Sequence, residues 1–213
     1  MVPRARDRHA NLMDAAMNTV GMDLSDLQRT VVVGTTGSGK SAAAARLAAA
    51  LGAPHVELDA INWRPNWIGL NETDIPLFRS QVEEAVRCDA WVVDGNYGVA
   101  RDLIWPRATA VVWLDYPFGL VFWRLVRRTL RRSLRRETLW AGNRESISRS
   151  LSRDSILLWA FKTHWRRRRS LYRLFAEPEQ AHLRLFHMRR PSDTEQWLRS
   201  IASSAVMEPS SAH

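Results

Sequence analysis

Short apolar runs alternate along this chain with stretches in which apolar residues recur every three or four positions. Thr30-Val31-Val32-Val33 is an apolar run and reads as a strand. Residues 41–51 are alanine-rich and read as a helix, which stops at Gly52 ahead of Pro54. A second strand is expected over 54–59. Ile75, Phe78, Val82 and Val86 then place a helix over 72–87. Strands follow at 90–94 and 110–114, helices at 124–136 and 147–175 with a break at Gly142, a strand at 183–188 and a last helix at 193–202. In that helix Trp197, Leu198 and Ile201 face inward. Strands that alternate with helices predict an α/β fold, one domain over 29–202. Residues 1–28 are expected to be a mobile extension without a clear contribution to the core, and 203–213 a disordered tail.

The turn between the first strand and first helix carries the chemistry. Gly34-Thr35-Thr36-Gly37-Ser38-Gly39-Lys40-Ser41 meets every position of the phosphate-cradling pattern G-x-x-x-x-G-K-[ST], with a strand before it and a helix after it. Its glycines allow successive N–H groups to turn toward phosphate oxygens, and the helix dipole adds to the attraction. Lys40 is expected at the β- and γ-phosphates of ATP, and the Ser41 hydroxyl on magnesium. A glycine-rich turn of no function is the bland alternative, and the flanking elements argue against it.

Magnesium needs a second ligand, and P-loop enzymes take it from an acid that ends a neighbouring strand. Asp94 closes an apolar run and is the first candidate. Asp115 is ranked below it, because Tyr116-Pro117 points to a turn in which Asp115 caps the next helix. Beyond the second strand, Asp59, Trp63, Arg64 and Trp67 fall where open α/β sheets bind ligands, and Asn96 and Arg101 follow the next strand end. These six are the candidate acceptor-site residues. The plain alternative is that the indoles pack over the sheet edge and Asp59 caps a turn.

Charge changes the picture in one segment. Residues 1–100 hold 9 Lys+Arg against 12 Asp+Glu, whereas residues 101–190 hold 21 against 7. Only Lys40 and Lys162 are lysines; the rest are guanidinium forks suited to phosphate. Arg124, Arg127, Arg128, Arg131, Arg132, Arg135 and Arg136 cover one side of a helix, and Trp123, Val126, Leu130 and Leu134 the other. Most of these arginines are expected to be solvated. Arg124, Arg128 and Arg144, nearest the strand end or beside the glycine hinge, are the candidates for closing over a triphosphate. The single cysteine, Cys88, excludes an intramolecular disulfide, and six scattered histidines lack metal-ligand spacing.

Taken together, these residues resemble the P-loop kinases of the adenylate kinase type. The resemblance is closer to the bacterial adenylate-kinase-like group labelled DNA topology modulation protein. It rests on Gly34 to Ser41, Leu58 to Trp67, Trp91 to Tyr97, Val112 to Asp115, Leu139 to Glu145 and Asp154 to Trp159. It implies a three-layer fold with a five-stranded parallel sheet ordered 2-3-1-4-5, ATP at the P-loop, an acceptor site beyond strand 2, and an arginine-bearing helical lid over about 118–175. Adenylate kinases carry Asp-Gly-Phe-Pro-Arg where this chain has Asp94-Gly95-Asn96-Tyr97, with its next arginine at Arg101.

The expected function is an ATP-dependent kinase that moves the γ-phosphoryl of Mg-ATP to a small-molecule acceptor, by preference a nucleotide such as a nucleoside monophosphate. Asp59 would orient the acceptor or take its proton. A motor ATPase is disfavoured because Gly95, not an acid, follows Asp94, and GTP because no Asn-Lys-x-Asp occurs. The alternative is a nucleotide-dependent regulator that binds nucleic acid through the arginine face. A membrane surface is not expected as a partner, since the apolar stripe of the arginine helix would be needed to pack the lid. With no apolar stretch of spanning length and no secretory pattern, the expected location is cytoplasmic.

Overall fold

The computed structural model describes residues 23–135, 138–143 and 156–207. In chain order these form β1 (Arg29–Gly34), α1 (Lys40–Leu51), β2 (His55–Glu57), α2 (Leu58–Asn62), β3 (Trp63–Arg64), β4 (Ile68–Gly69), α3 (Leu70–Thr73), α4 (Ile75–Ala85), β5 (Trp91–Asp94), α5 (Arg101–Ile104), β6 (Ala110–Leu114), α6 (Phe118–Arg135), α7 (Ile156–Phe175), β7 (Arg184–Met188) and α8 (Pro191–Met207). The main sheet is ordered β2-β5-β1-β6-β7 and every pair in it is parallel. Counting its strands alone, this is the order 2-3-1-4-5.

Period-two geometry splits each strand between two cores. Val31, Val33, Trp91, Val93, Val111 and Trp113 point to one face, where Leu58 of α2, Phe78 and Val82 of α4 and Leu171 and Leu174 of α7 cover them. Val32, Val92, Val112 and Leu114 point to the other, under Ala44 and Leu47 of α1, Val121 of α6, and Trp197, Leu198 and Ile201 of α8. The continuous apolar runs are thus explained by helices on both sides.

The structure departs from the expected elements in several places. The second strand ends at Glu57, so Asp59 stands in the first turn of α2, not at a strand end. The helix expected over 72–87 starts afresh at Ile75, because the Asp74 side chain accepts a hydrogen bond from the Leu77 amide at 3.0 Å and Pro76 sits in its first turn. Leu27 is fully buried and Asp26 pairs with Arg184, so the end of the expected extension is packed. α8 continues through 203–207, past the expected start of the tail. The first turns of the helix expected over 147–175, like Arg136, Arg144, residues 1–22 and 208–213, lie outside the described residues.

Two corrections concern the lid. Asp115 does not cap α6. Its buried carboxylate accepts from Arg168 Nε at 2.6 Å and Nη2 at 3.0 Å and from the Tyr172 hydroxyl at 3.2 Å, with His187 Nε2 at 2.9 Å. His187 itself stacks on Trp113 with ring centroids 4.3 Å apart. The end of β6 thereby pins α7 to the sheet. The second correction is to α6, whose apolar stripe does not pack the lid: Trp123, Leu130 and Leu134 are 64%, 50% and 75% exposed. Val121, Leu125 and Thr129 are buried instead, while Arg124, Arg128 and Arg132 are half-buried.

Burial alone would raise the Asp115 pKa, but hydrogen bonds from His187 and Arg168 outweigh it and hold the carboxyl below its ordinary range. The stabilisation is therefore present above the unfolded carboxyl pKa and is lost as pH falls through the lower folded value. Asp115→Asn is expected to cost about 3 kcal/mol at neutral pH, the scale for unpairing a buried charge. Urea unfolding should also show less loss of stability below about pH 4 in the variant than in the wild type.

Candidate active site

The P-loop leaves β1 at the centre of the sheet and closes onto α1. Gly37 and Gly39 adopt φ of 88° and 93°, and Gly39 caps α1 from this left-handed conformation without a side-chain hydrogen bond. A Cβ on Gly37 would stand 2.7 Å from the Val121 carbonyl oxygen, so α6 packs directly on the loop. Thr35 and Ser38 are buried beside it. Arg124 reaches over from α6, donating from Nη1 to the Ser38 carbonyl at 3.4 Å with its guanidinium 5.5 Å from the Tyr116 ring centre.

Charge converges on Lys40 from four elements, α2, β5, α6 and α7. Burial pushes its ammonium down most; the carboxylates of Asp59 and Asp94 oppose this, and Arg128 and Arg167 push further down. Asp94 lies next to β1 in the sheet, in register with Val32 and with Glu57 of β2. It is 2% exposed and its Oδ2 has no hydrogen-bond partner; His55 Nε2 stands 3.4 Å away. That contact lifts His55 above its ordinary pKa, against the effect of its burial. A buried carboxylate oxygen left unsatisfied next to a phosphate-type loop fits a magnesium ligand, and Ser41, exposed in the first turn of α1, fits its partner. Asp115, the second candidate, is consumed by Arg168, Tyr172 and His187.

On the acceptor side, the Tyr97 hydroxyl donates to Asp59 Oδ1 at 2.5 Å. Burial and then the Asp59 charge push the phenol well above its ordinary range, which keeps it a donor. Tyr97 and Arg167 complete the group around Lys40, and sequence reasoning did not select either. Tyr97 stood three residues after Asp94, which was a usable signal. Arg167 stood in a run of four arginines with nothing to single it out. The other acceptor candidates divide. Arg101 donates to Asn96 Oδ1 at 3.1 Å, and Arg64 to Gln81 Oε1 at 2.9 Å. The Trp63 and Trp67 rings meet edge to face at 5.6 Å.

These indoles belong to a two-stranded hairpin, β3 against β4, that the sequence did not announce. Its turn holds Asn66 at φ 62° and Trp67 at φ 61°, left-handed values that cost energy in a bulky residue. Asn143, 5% exposed, holds the turn: its Oδ1 accepts from the Trp67 amide at 3.0 Å, and its Nδ2 donates to the Arg64 and Trp140 carbonyls at 2.9 and 2.8 Å. Trp140 adds a bond from Nε1 to Glu57 Oε2 at 3.0 Å. The segment that follows α6 is thus fastened to the acceptor side.

With the geometry in place, known structures of the same build can be compared. The chain superposes on shikimate kinase from Acinetobacter baumannii, in complex with shikimate, with TM-score 0.50 and 20% identity, over 85% of this chain and 96% of that one. Shikimate kinase from Bacteroides thetaiotaomicron gives 0.50 and 16%, over 83% and 97%. The fold is that of the P-loop kinases. A gluconokinase from Sinorhizobium meliloti 1021 also matches, with TM-score 0.49 and 20% identity over 85% and 93%. No protein-family model matches the chain, and neither does any curated protein sequence.

Asn143→Ala removes three side-chain hydrogen bonds and takes the side-chain partner from the Trp67 amide and the Arg64 carbonyl, while the Trp140 carbonyl keeps the backbone amide of residue 143. It is expected to cost about 2–3 kcal/mol in urea unfolding and to speed hydrogen exchange at the Trp67 amide. Affinity for Mg-ATP should stay within about twofold, because the P-loop does not touch Asn143.

Proposed function

We propose that this protein is a P-loop phosphotransferase that moves the γ-phosphoryl group of Mg-ATP to a hydroxyl of a small acceptor. The observation that carries this reading is the gathering of Lys40, Asp59 and Asp94 at the mouth of a glycine cradle, with arginines from two helices facing them. Lys40 and the loop amides would hold the β- and γ-phosphates, and Arg124, Arg128 and Arg167 the charge of the transferring group. Magnesium, on Ser41 and Asp94, would neutralise the phosphate oxygens.

Asp59 is suited to the acceptor. Its Oδ1 is taken by Tyr97, leaving Oδ2 to receive the hydroxyl proton. As the acceptor oxygen bonds to the γ-phosphorus, the bond to the β,γ-bridging oxygen breaks and ADP leaves. Tyr97 fixes the carboxylate without giving up its own proton, and Lys40 offsets the charge near it.

A nucleoside monophosphate is the second reading of the acceptor, favoured by two indoles beside Arg64. The edge-to-face contact of the indoles and the Arg64–Gln81 bond make this site less ready for a stacked base than for a compact hydroxylated acid. A regulator that binds nucleic acid through α6 is weaker, since Arg124, Arg128 and Arg132 are half-buried against the protein. Kinship with the group labelled DNA topology modulation protein rests on the shared sequence motifs.

Coupled ADP release should be screened with Mg-ATP against sugar acids, polyols, nucleosides and nucleoside monophosphates. Asp59→Asn is expected to keep Mg-ATP affinity within about twofold and to lower acceptor-dependent release by about a hundredfold. Lys40→Ala should abolish release with every acceptor; unchanged Mg-ATP affinity and turnover in that variant would overturn the assignment.

A further inference from the structure

The outer surface of α6 carries a feature that phosphoryl transfer does not use. At about 100° per residue, Leu130, Trp123 and Leu134 lie within about 40° of one another, and all three are at least half exposed. Exposed Arg127 and Arg131 run along one flank of this stripe. No aspartate or glutamate occurs anywhere in α6, or in α7 packed beside it. An indole and two leucines held in water on one line, rimmed by guanidinium groups, mark an interaction face and not a lid interior.

We infer that this face of α6 docks on an anionic membrane surface, with the helix lying in the plane of the interface. Trp123, Leu130 and Leu134 enter the boundary between headgroups and acyl chains, and Arg127 on the flank of the stripe meets the lipid phosphates. Charge decides the occupant. A second copy would be brought in by a self-complementary contact, which sets the same arginine-rimmed patch against itself with no carboxylate on the helix to relieve it. Nucleic acid would satisfy the arginines and leave Trp123 and the leucines in water. An anionic lipid surface satisfies both parts. Contact is interfacial only, since among the described residues no helix is long and apolar enough to cross a membrane. Because α6 also carries Arg124 and packs on Gly37, docking would hold the lid helix from its outer side while its inner side faces the P-loop.

The test is flotation of the full chain with vesicles of phosphatidylcholine alone or mixed with phosphatidylglycerol, and it does not depend on any kinase activity. The expected result is association with the mixed vesicles only, weakened by salt, and reduced at least about tenfold by Trp123→Ala with Leu134→Ser. Both residues are exposed, so the variant should unfold at the same urea concentration as the wild type. Failure to float overturns the inference. Flotation that salt abolishes but the double variant leaves unchanged overturns it too, as that is counterion attraction alone. Two further results would count against it: a concentration-dependent dimer in sedimentation that the same double variant abolishes, which assigns the face to a second copy, and duplex DNA binding that needs Arg127 but not Trp123.

Discussion

The Asp115 carboxylate is the anchor on which the arrangement of the lid depends. It stands at the end of β6, beside the P-loop strand, and is buried where an unpaired charge would be costly. Arg168 and Tyr172 of α7 satisfy it from one side and His187 of β7 from the other. That choice of partners fixes the rotation of α7. With Arg168 turned to the sheet, the next residue back, Arg167, lies near Lys40, while Leu171 and Leu174 enter the core about one and two turns later. A single buried ion cluster therefore couples the position of a phosphate-facing arginine to the packing of the sheet.

Around the phosphate cradle, some buried polar groups are left for a ligand to satisfy. Asp94 Oδ2 and Ser38 Oγ are buried without hydrogen bonds, and Lys40 has its charge disfavoured by burial and by two guanidinium groups. Asn143 and Asp115 are closely paired, whereas Asn62 Nδ2, Trp91 Nε1, Gln180 Oε1 and Trp197 Nε1 are also buried without a hydrogen bond. The left-handed Trp67 is retained with the help of Asn143, which accepts from the Trp67 amide and donates to the Arg64 carbonyl across the turn. Since Asn143 follows α6 in the chain, the helix that brings Arg124 to the P-loop is tied to the hairpin beyond β2.

α6 shows how one helix divides its charge. Its inner arginines are drawn toward the loop that would hold phosphate, and Val121, Leu125 and Thr129 fill its buried positions. The remaining apolar residues then have nowhere to go but outward. An amphipathic pattern says that two faces differ; it does not say which one meets the protein.

Some of this was determined by the sequence alone. Runs such as Val31 to Val33 and Ala110 to Leu114 require cover on both faces, so a parallel sheet between helices follows from the chain. The strand–turn–helix setting of the P-loop and the place of Asp94 at a strand end were legible because both depend on residues close in sequence. The β3–β4 hairpin was not, because a two-residue ladder with two left-handed residues has no local signal and is held by Asn143, 76 residues after Trp67. The role of Asp115 was misread for the same reason: local turn chemistry suggested a cap, whereas Arg168 and His187, 53 and 72 residues away, claim its oxygens. The apolar stripe of the arginine helix was expected to pack inward because hydropathy favours burying tryptophan and leucine, whereas Trp123, Leu130 and Leu134 are exposed. Only the tertiary structure decided these points, because each is a bond or a burial between residues far apart in the chain, and local propensity carries no term for it.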